Sequence, residues 1–289
     1  MTRNDVPDND VPDPEPTNEV LSLLRQRRSV RAFTGEKVAQ EDLTQILLAT
    51  RQAPTSINAE GLSLVVLRDR DRIQAVADIA NGQPQVAGAN VVVVFVIDYY
   101  RTGLAAQQHQ REQVVQRSAE GILVGAVDAG IALATFQTAA HSLGYATTAI
   151  GGIRNNPAAL IELLGLPTHT FPVVASTLGV ADRQKTPQVK PRVPLESYAM
   201  EEHYDAQVVK RGALVYDEVL RGWWDAQGMT QMGTWSQDTS SMYSRYYFPT
   251  VAATMEAQGF RFLDGPEEPE GRGSEDGEGL GEATSRAGC

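Results

Sequence analysis

Three guanidinium groups and a hydroxyl fall within five residues at Arg27-Arg28-Ser29-Val30-Arg31, directly after an apolar helical segment. Planar guanidinium forks pair with phosphate oxygens two at a time, and a serine hydroxyl or a loop N–H completes such a cradle. The run is a candidate anion clamp, although basic runs of this kind are most often solvated surface. Three other stretches could bring partners to it. Thr55, Ser56 and Asn58 crowd short polar side chains into one loop, and Ile150-Gly151-Gly152 offers backbone N–H groups to a flat ligand with no side chain in the way. Lys190-Pro191-Arg192 adds two more cations. Taken singly, the glycine pair reads equally as a turn and the Lys-Pro-Arg segment as a solvated loop. Gathered around one pocket, they suit a ligand that carries a phosphate at one end.

Positioning these residues is the task of the elements between them. Val20, Leu21, Leu23 and Leu24 share one side of a short helix that Thr17 or Asn18 caps, and this helix delivers the basic run. Leu43, Ile46 and Leu47 signal a second helix ending near Ala53, before Pro54. Strands are expected at Leu62 to Leu67, Val91 to Ile97, Tyr145 to Ile150 and Phe171 to Leu178, the second of them apolar throughout and hence buried on both faces. Between them, helical spacing marks Ile73 to Ala80, a proline-free stretch from about Glu112 to Leu143 with an apolar middle from Gly121 to Ala140, and a short helix after Asn156-Pro157. The long stretch raises a membrane question, but Asp128, Gln137 and many small residues favour a closely packed, buried helix. Downstream, helices are expected over Ala206 to Gln227 and Tyr243 to Gln258, an extension of the kind that packs on a partner subunit. The alternation of helices and strands predicts a sheet covered on both faces.

Charge is unevenly placed. The net charge of −11 resides in the ends, with −5 in residues 1–19 and −6 in residues 264–289, and residues 20–263 are neutral. Both ends are poor in large apolar residues and read as disordered acidic tails. A neutral body with acidic tails disfavours a nucleic-acid partner. No secretory signal is visible at the N-terminus, and the single cysteine, Cys289, allows no disulfide within one chain, which fits a reducing cytoplasm. Four scattered histidines give no metal site, and neither a G-x-S-x-G elbow nor a glycine-rich nucleotide motif is present.

The segments Arg27-Arg28-Ser29-Val30-Arg31-Ala32-Phe33, Ala53-Pro54-Thr55-Ser56-Ile57-Asn58, Ala149-Ile150-Gly151-Gly152-Ile153-Arg154-Asn155-Asn156 and Lys190-Pro191-Arg192-Val193-Pro194, in this order, resemble the nitroreductase family of FMN enzymes. Among its branches the chain is most similar to the NADPH-dependent nitroreductase and flavin reductase group, over about residues 20–263. The resemblance implies an α+β fold: a three-layer sandwich with a central mixed sheet flanked by helices, in a homodimer with a C-terminal helical extension and FMN at the subunit interface. By position it implies phosphate and ribityl contacts from Arg27, Arg28 and Ser29, and further phosphate contacts from Lys190 and Arg192. Arg31 matches a cation near the pyrimidine edge of the ring. Thr55, Ser56 and Asn58 match the loop around the flavin, Gln83 a ring-contacting glutamine, and Ile150, Gly151 and Gly152 the backbone beside the reactive edge.

The activity so implied is ping-pong electron transfer from NADPH or NADH through FMN to nitroaromatics, quinones or free flavins. No side chain serves as acid or base. Arg31 would favour two-electron reduction, which leaves negative charge on the pyrimidine side of the ring. Some positions depart from the branch: Ala149 replaces an aromatic, and Ala226 to Trp235 lacks the arginines that hold an NADPH 2′-phosphate, for which Arg154, Arg221 or Arg245 could substitute. NADPH and NADH therefore both stay open, as does the alternative of a flavin-binding or storage protein. A flavin-free protein that uses the basic run for anion-dependent interaction is a third reading.

Overall fold

A computed structural model describes residues 14–265. Most of both expected acidic tails lies outside the described residues. Within them, the chain runs through α1 (Glu19–Arg25), α2 (Gln40–Thr50), β1 (Leu62–Leu67), α3 (Arg70–Ile79), α4 (Pro84–Ala87), β2 (Val91–Asp98), α5 (Tyr99–Gln108), α6 (Ala119–Ser142), β3 (Ala146–Ile150), α7 (Pro157–Leu164) and β4 (Thr170–Gly179). The last third is helical: α8 (Leu195–Tyr198), α9 (Ala206–Asp225), α10 (Trp235–Tyr243) and α11 (Val251–Ala257).

The four strands lie in the order β1-β2-β4-β3. β2 is central and buried on both faces, as its unbroken apolar run requires. Val92, Val94 and Val96 face Ile73, Val76, Val86 and Leu160 in one layer. Val91, Val93 and Phe95 face Leu43, Ile46, Ala129 and Phe136 in the other. This is the expected three-layer α+β sandwich. All the sheet pairings among the described residues are antiparallel, where a mixed sheet was expected. The reason is topological. β2 and β3 run the same way, joined by the crossover through α6, but β4 is inserted between them and opposes both. Pro172 has no N–H to give the ladder, and the β2–β4 register slips at Phe95/Val96 opposite it.

Three expectations are corrected. Helix α5 has no counterpart among the expected elements; Asp98 caps it by accepting from the Arg101 N–H at 3.0 Å. The expected final helix over Tyr243 to Gln258 shortens to α11, which starts two residues after Pro249, and α10 forms before it in a stretch where no helix was expected. Helix α6 is long and apolar enough to cross a membrane, yet its small residues let it lie on the sheet: a Cβ on Gly125 would come within 2.7 Å of the Ile97 side chain. Only that face is buried, and Leu123 and Val127 remain 60% and 57% exposed on the other.

Phe136 of α6 meets Phe95 of β2 edge-on, with ring centroids 5.8 Å apart. Phe136→Ala leaves a cavity between the layers and is expected to cost about 3–5 kcal/mol. Thermal unfolding checks this, and an unchanged midpoint would show that the layer does not depend on this packing.

Candidate functional site

Helix α1 starts at the Asn18 cap, whose side chain accepts from the Leu21 N–H at 2.9 Å, and it stops before the basic run. The run is then pinned along the free edge of β3. The Val30 N–H donates to the Thr147 carbonyl at 3.1 Å, and the Thr148 hydroxyl donates to the Val30 carbonyl. Val30 is buried, while Arg27, Arg28 and Ser29 are half-buried and Arg31 is exposed. Further on, Phe33 bridges to Ala181 and the Asp182 N–H donates to the Ala32 carbonyl, which draws the chain after β4 alongside.

This brings four cations within electrostatic reach of one another. Burial, and then repulsion from Arg192, lower the pKa of Arg27. Lys190 is likewise pushed down, by partial burial first and then by Arg31 and Arg192, with Asp238 opposing. Among the described residues no carboxylate lies within ion-pair distance of Arg27, Arg28, Arg31, Lys190 or Arg192. Positive charge gathered without ion-pair partners attracts anions. Beside it opens a cleft of about 600 Å³ lined by Arg27, Arg28, His141, Tyr145 and Arg183.

Farther along β3, about 10 Å from Thr147 at the usual rise per residue, Ile150 leads into the turn Gly151–Asn155. A Cβ on Gly152 would lie 2.5 Å from Nε2 of Gln83, so a side chain there would displace the end of the Gln83 side chain. Gln83 itself is oriented by Gln85, whose Nε2 donates to its Oε1 at 2.8 Å. Arg154 donates to the Val173 carbonyl and lies 5.2 Å from the centre of the Phe248 ring. Arg221 donates to the carbonyls of Met229 and Met232 and pairs with Asp225 at 2.8 Å, so it holds the loop after α9 in place.

Thr55, Ser56 and Asn58 are not gathered with the others. The Ser56 N–H donates to both carboxylate oxygens of Asp128, at 3.2 and 3.3 Å. Asp128 stands 13 residues before His141 on α6, roughly 20 Å at the helical rise. No hydrogen bond among the described residues joins this loop to the basic run, the glycine pair or Lys190-Pro191-Arg192. The loop is strained: Ile57, Asn58 and Glu60 have φ of 48°, 56° and 53°, a region that β-branched Ile57 rarely adopts. Asp128, the Thr55 hydroxyl accepting from the Glu60 N–H, and Arg101 donating to the Glu60 carbonyl hold it there.

Asp128 is the residue that motif reading missed. At 5% exposure its carboxyl is raised above the usual range by burial first and then Glu60, with the Ser56 N–H opposing. Its signal was a lone acid inside an apolar helix, which calls for a partner. His141, one of the scattered histidines, lies 3.0 Å from the Thr147 hydroxyl. Burial, then Arg27 and Arg28, hold its pKa below the ordinary 6.5. The folded chain therefore binds this proton more weakly than the unfolded chain, so its contribution to stability is present above that value and is lost as the pH falls below it. The expected outcome is a thermal midpoint that drops on acidification through this window, and drops less in His141→Gln. Equal drops in both proteins would exclude His141 as the cause.

Comparison with known proteins matches the Nitroreductase family over residues 24–180 and its C-terminal domain over residues 190–263. The chain is 38% identical over 248 residues to an FMN reductase [NAD(P)H] of Bacillus subtilis, covering 84% of this chain and 98% of that one. Its structure is similar to that of the hypothetical oxidoreductase YcnD from Bacillus subtilis, with a TM-score of 0.82, 37% identity, and 85% and 99% of the two chains covered. It is also similar to the NADPH:FMN oxidoreductase of Vibrio harveyi complexed with NAD+, with a TM-score of 0.74, 29% identity, and 84% and 98% covered. With both family segments matched in order along the body, the chain belongs to the nitroreductase family.

Proposed function

We propose that this chain is an FMN-dependent NAD(P)H oxidoreductase that reduces nitroaromatics, quinones or free flavins. One observation carries the reading: the basic run docks beside the edge strand β3, in a cation cluster without carboxylate partners among the described residues, and the glycine pair follows the end of that same strand. That arrangement suits a phosphate at one end and a flat ring at the other. Arg27, Arg28, Ser29, Lys190 and Arg192 hold the phosphate and ribityl end, where each charge-assisted contact contributes on the order of 1.5–3 kcal/mol. Arg31 lies beside the pyrimidine edge as a fixed positive charge. Gln83, Ile150, Gly151 and Gly152 line the ring, and the glycines leave its reactive edge open to a second flat molecule. FMN, when bound, supplies two-electron transfer from a nicotinamide to an acceptor in ping-pong order, with no side-chain acid or base. The FMN reductase [NAD(P)H] relative supports this reading.

The working unit is a homodimer. Two observations support it. Thr55, Ser56 and Asn58 are held apart from the rest of the site, and a second copy would supply them across the interface. Helix α6 also presents Leu123, Ala126, Val127, Gly130 and Ala134 to solvent at spacings of three and four residues, an apolar stripe of small and branched side chains. Nothing in this reading calls for a membrane or a nucleic acid, and we place the enzyme in the cytoplasm.

The purified protein is expected to be yellow and to bleach anaerobically with NADPH or NADH in rapid-mixing absorbance. Colourless protein that takes up no added FMN would overturn the reading, and yellow protein reduced by neither nicotinamide would select a flavin store instead. Val127→Asp is expected to yield monomers in sedimentation and to lose FMN together with dimerisation. A dimeric Val127→Asp protein would exclude the α6 face as the interface.

A further inference from the structure

Lys190 has an unusual anchor. It sits in the proline-spaced loop between β4 and α8, and Arg31 and Arg192 repel it. No carboxylate within ion-pair distance holds it among the described residues. Its ammonium instead lies 4.6 Å from the ring centre of Trp224, in the last turn of α9. Trp224 is 7% exposed and braced edge-to-face by Trp223, with ring centres 4.6 Å apart. Its buried indole N–H has no acceptor among the described residues, so what the residue offers its surroundings is the ring face. Two turns earlier on the same helix, the Tyr216 hydroxyl donates to the Pro191 carbonyl at 3.2 Å, fixing the backbone beside Lys190.

We propose that Trp224 is a positioning residue for the anion site, holding Lys190 on its indole face so that the ammonium is fixed but not neutralised. A carboxylate in this place would also fix Lys190, but it would cancel the charge and compete with the incoming phosphate. An aromatic quadrupole attracts the cation while leaving its charge available. Helix α9 of the C-terminal extension thereby sets one side of a clamp whose other side is carried by β3. This rests on the reading of Lys190 as a contact of the FMN phosphate.

The test compares FMN with riboflavin, which has the same ring and no phosphate. Both are titrated by flavin fluorescence into the full-length chain freed of cofactor. Trp224→Leu is expected to weaken FMN binding roughly ten-fold and to leave riboflavin binding unchanged. In a Lys190→Ala background the same substitution is expected to have no further effect. Trp224→Phe keeps a ring with a weaker face and is expected to lose about two- to five-fold, for FMN alone. It carries the test if Trp224→Leu does not fold. Equal losses for FMN and riboflavin, or losses that add in the double variant, would overturn the role of Trp224. Wild-type protein that binds neither flavin would overturn the FMN reading and this role with it.

Discussion

Seven consecutive apolar residues, Val91 to Ile97, cannot leave either face of their strand in water, and covering both requires one helical layer above the sheet and another below. Each side chain buried there contributes on the order of 1.5–3 kcal/mol. The consequences spread outward from β2. Its neighbours β1 and β4 complete the backbone ladder, α3, α4 and α7 cover one face, and α2 and α6 cover the other. Because β4 is inserted between β2 and β3, β3 is left as an edge strand. That free edge is where the basic run docks.

A second constraint acts against the first. Burial favours neutral groups, yet this molecule gathers Arg27, Arg31, Lys190 and Arg192 with like charge facing like, and the lowered pKa values of Arg27 and Lys190 record the cost. The arrangement holds because backbone contacts fix the segments: Val30 against Thr147, Ala32 against Asp182, and Pro191 against Tyr216. Strain at Ile57 to Glu60 is similar in kind, held by Asp128 from α6 and Arg101 from α5. In both places a rigid core maintains a local arrangement that the segment would not adopt alone, a pattern associated with ligand sites.

Much of this was legible in the chain. Residue period and turn chemistry are local, so the four strands, the Asn18 cap and the helix opening at Pro157 could be read from neighbouring residues. Helix α5 was not legible, because its apolar positions form no sustained stripe. The exposed face of α6 was not legible either. A mostly apolar stretch gives one composition whether the helix is enclosed or covered on one side, and only the packing of the fold decides.

The sequence by itself determined the family and the order of the motifs that carry it, since residue type and order within short segments are local. The tertiary structure decided which residues meet. It joined Lys190 to Trp224, 34 positions away, and Ser56 to Asp128, 72 positions away, and it kept the loop at Thr55 to Asn58 apart from the basic run. The physical reason is that such meetings depend on strand order and on the path of α6. Those follow from how the whole core closes around β2, and no local stretch of the chain contains that information.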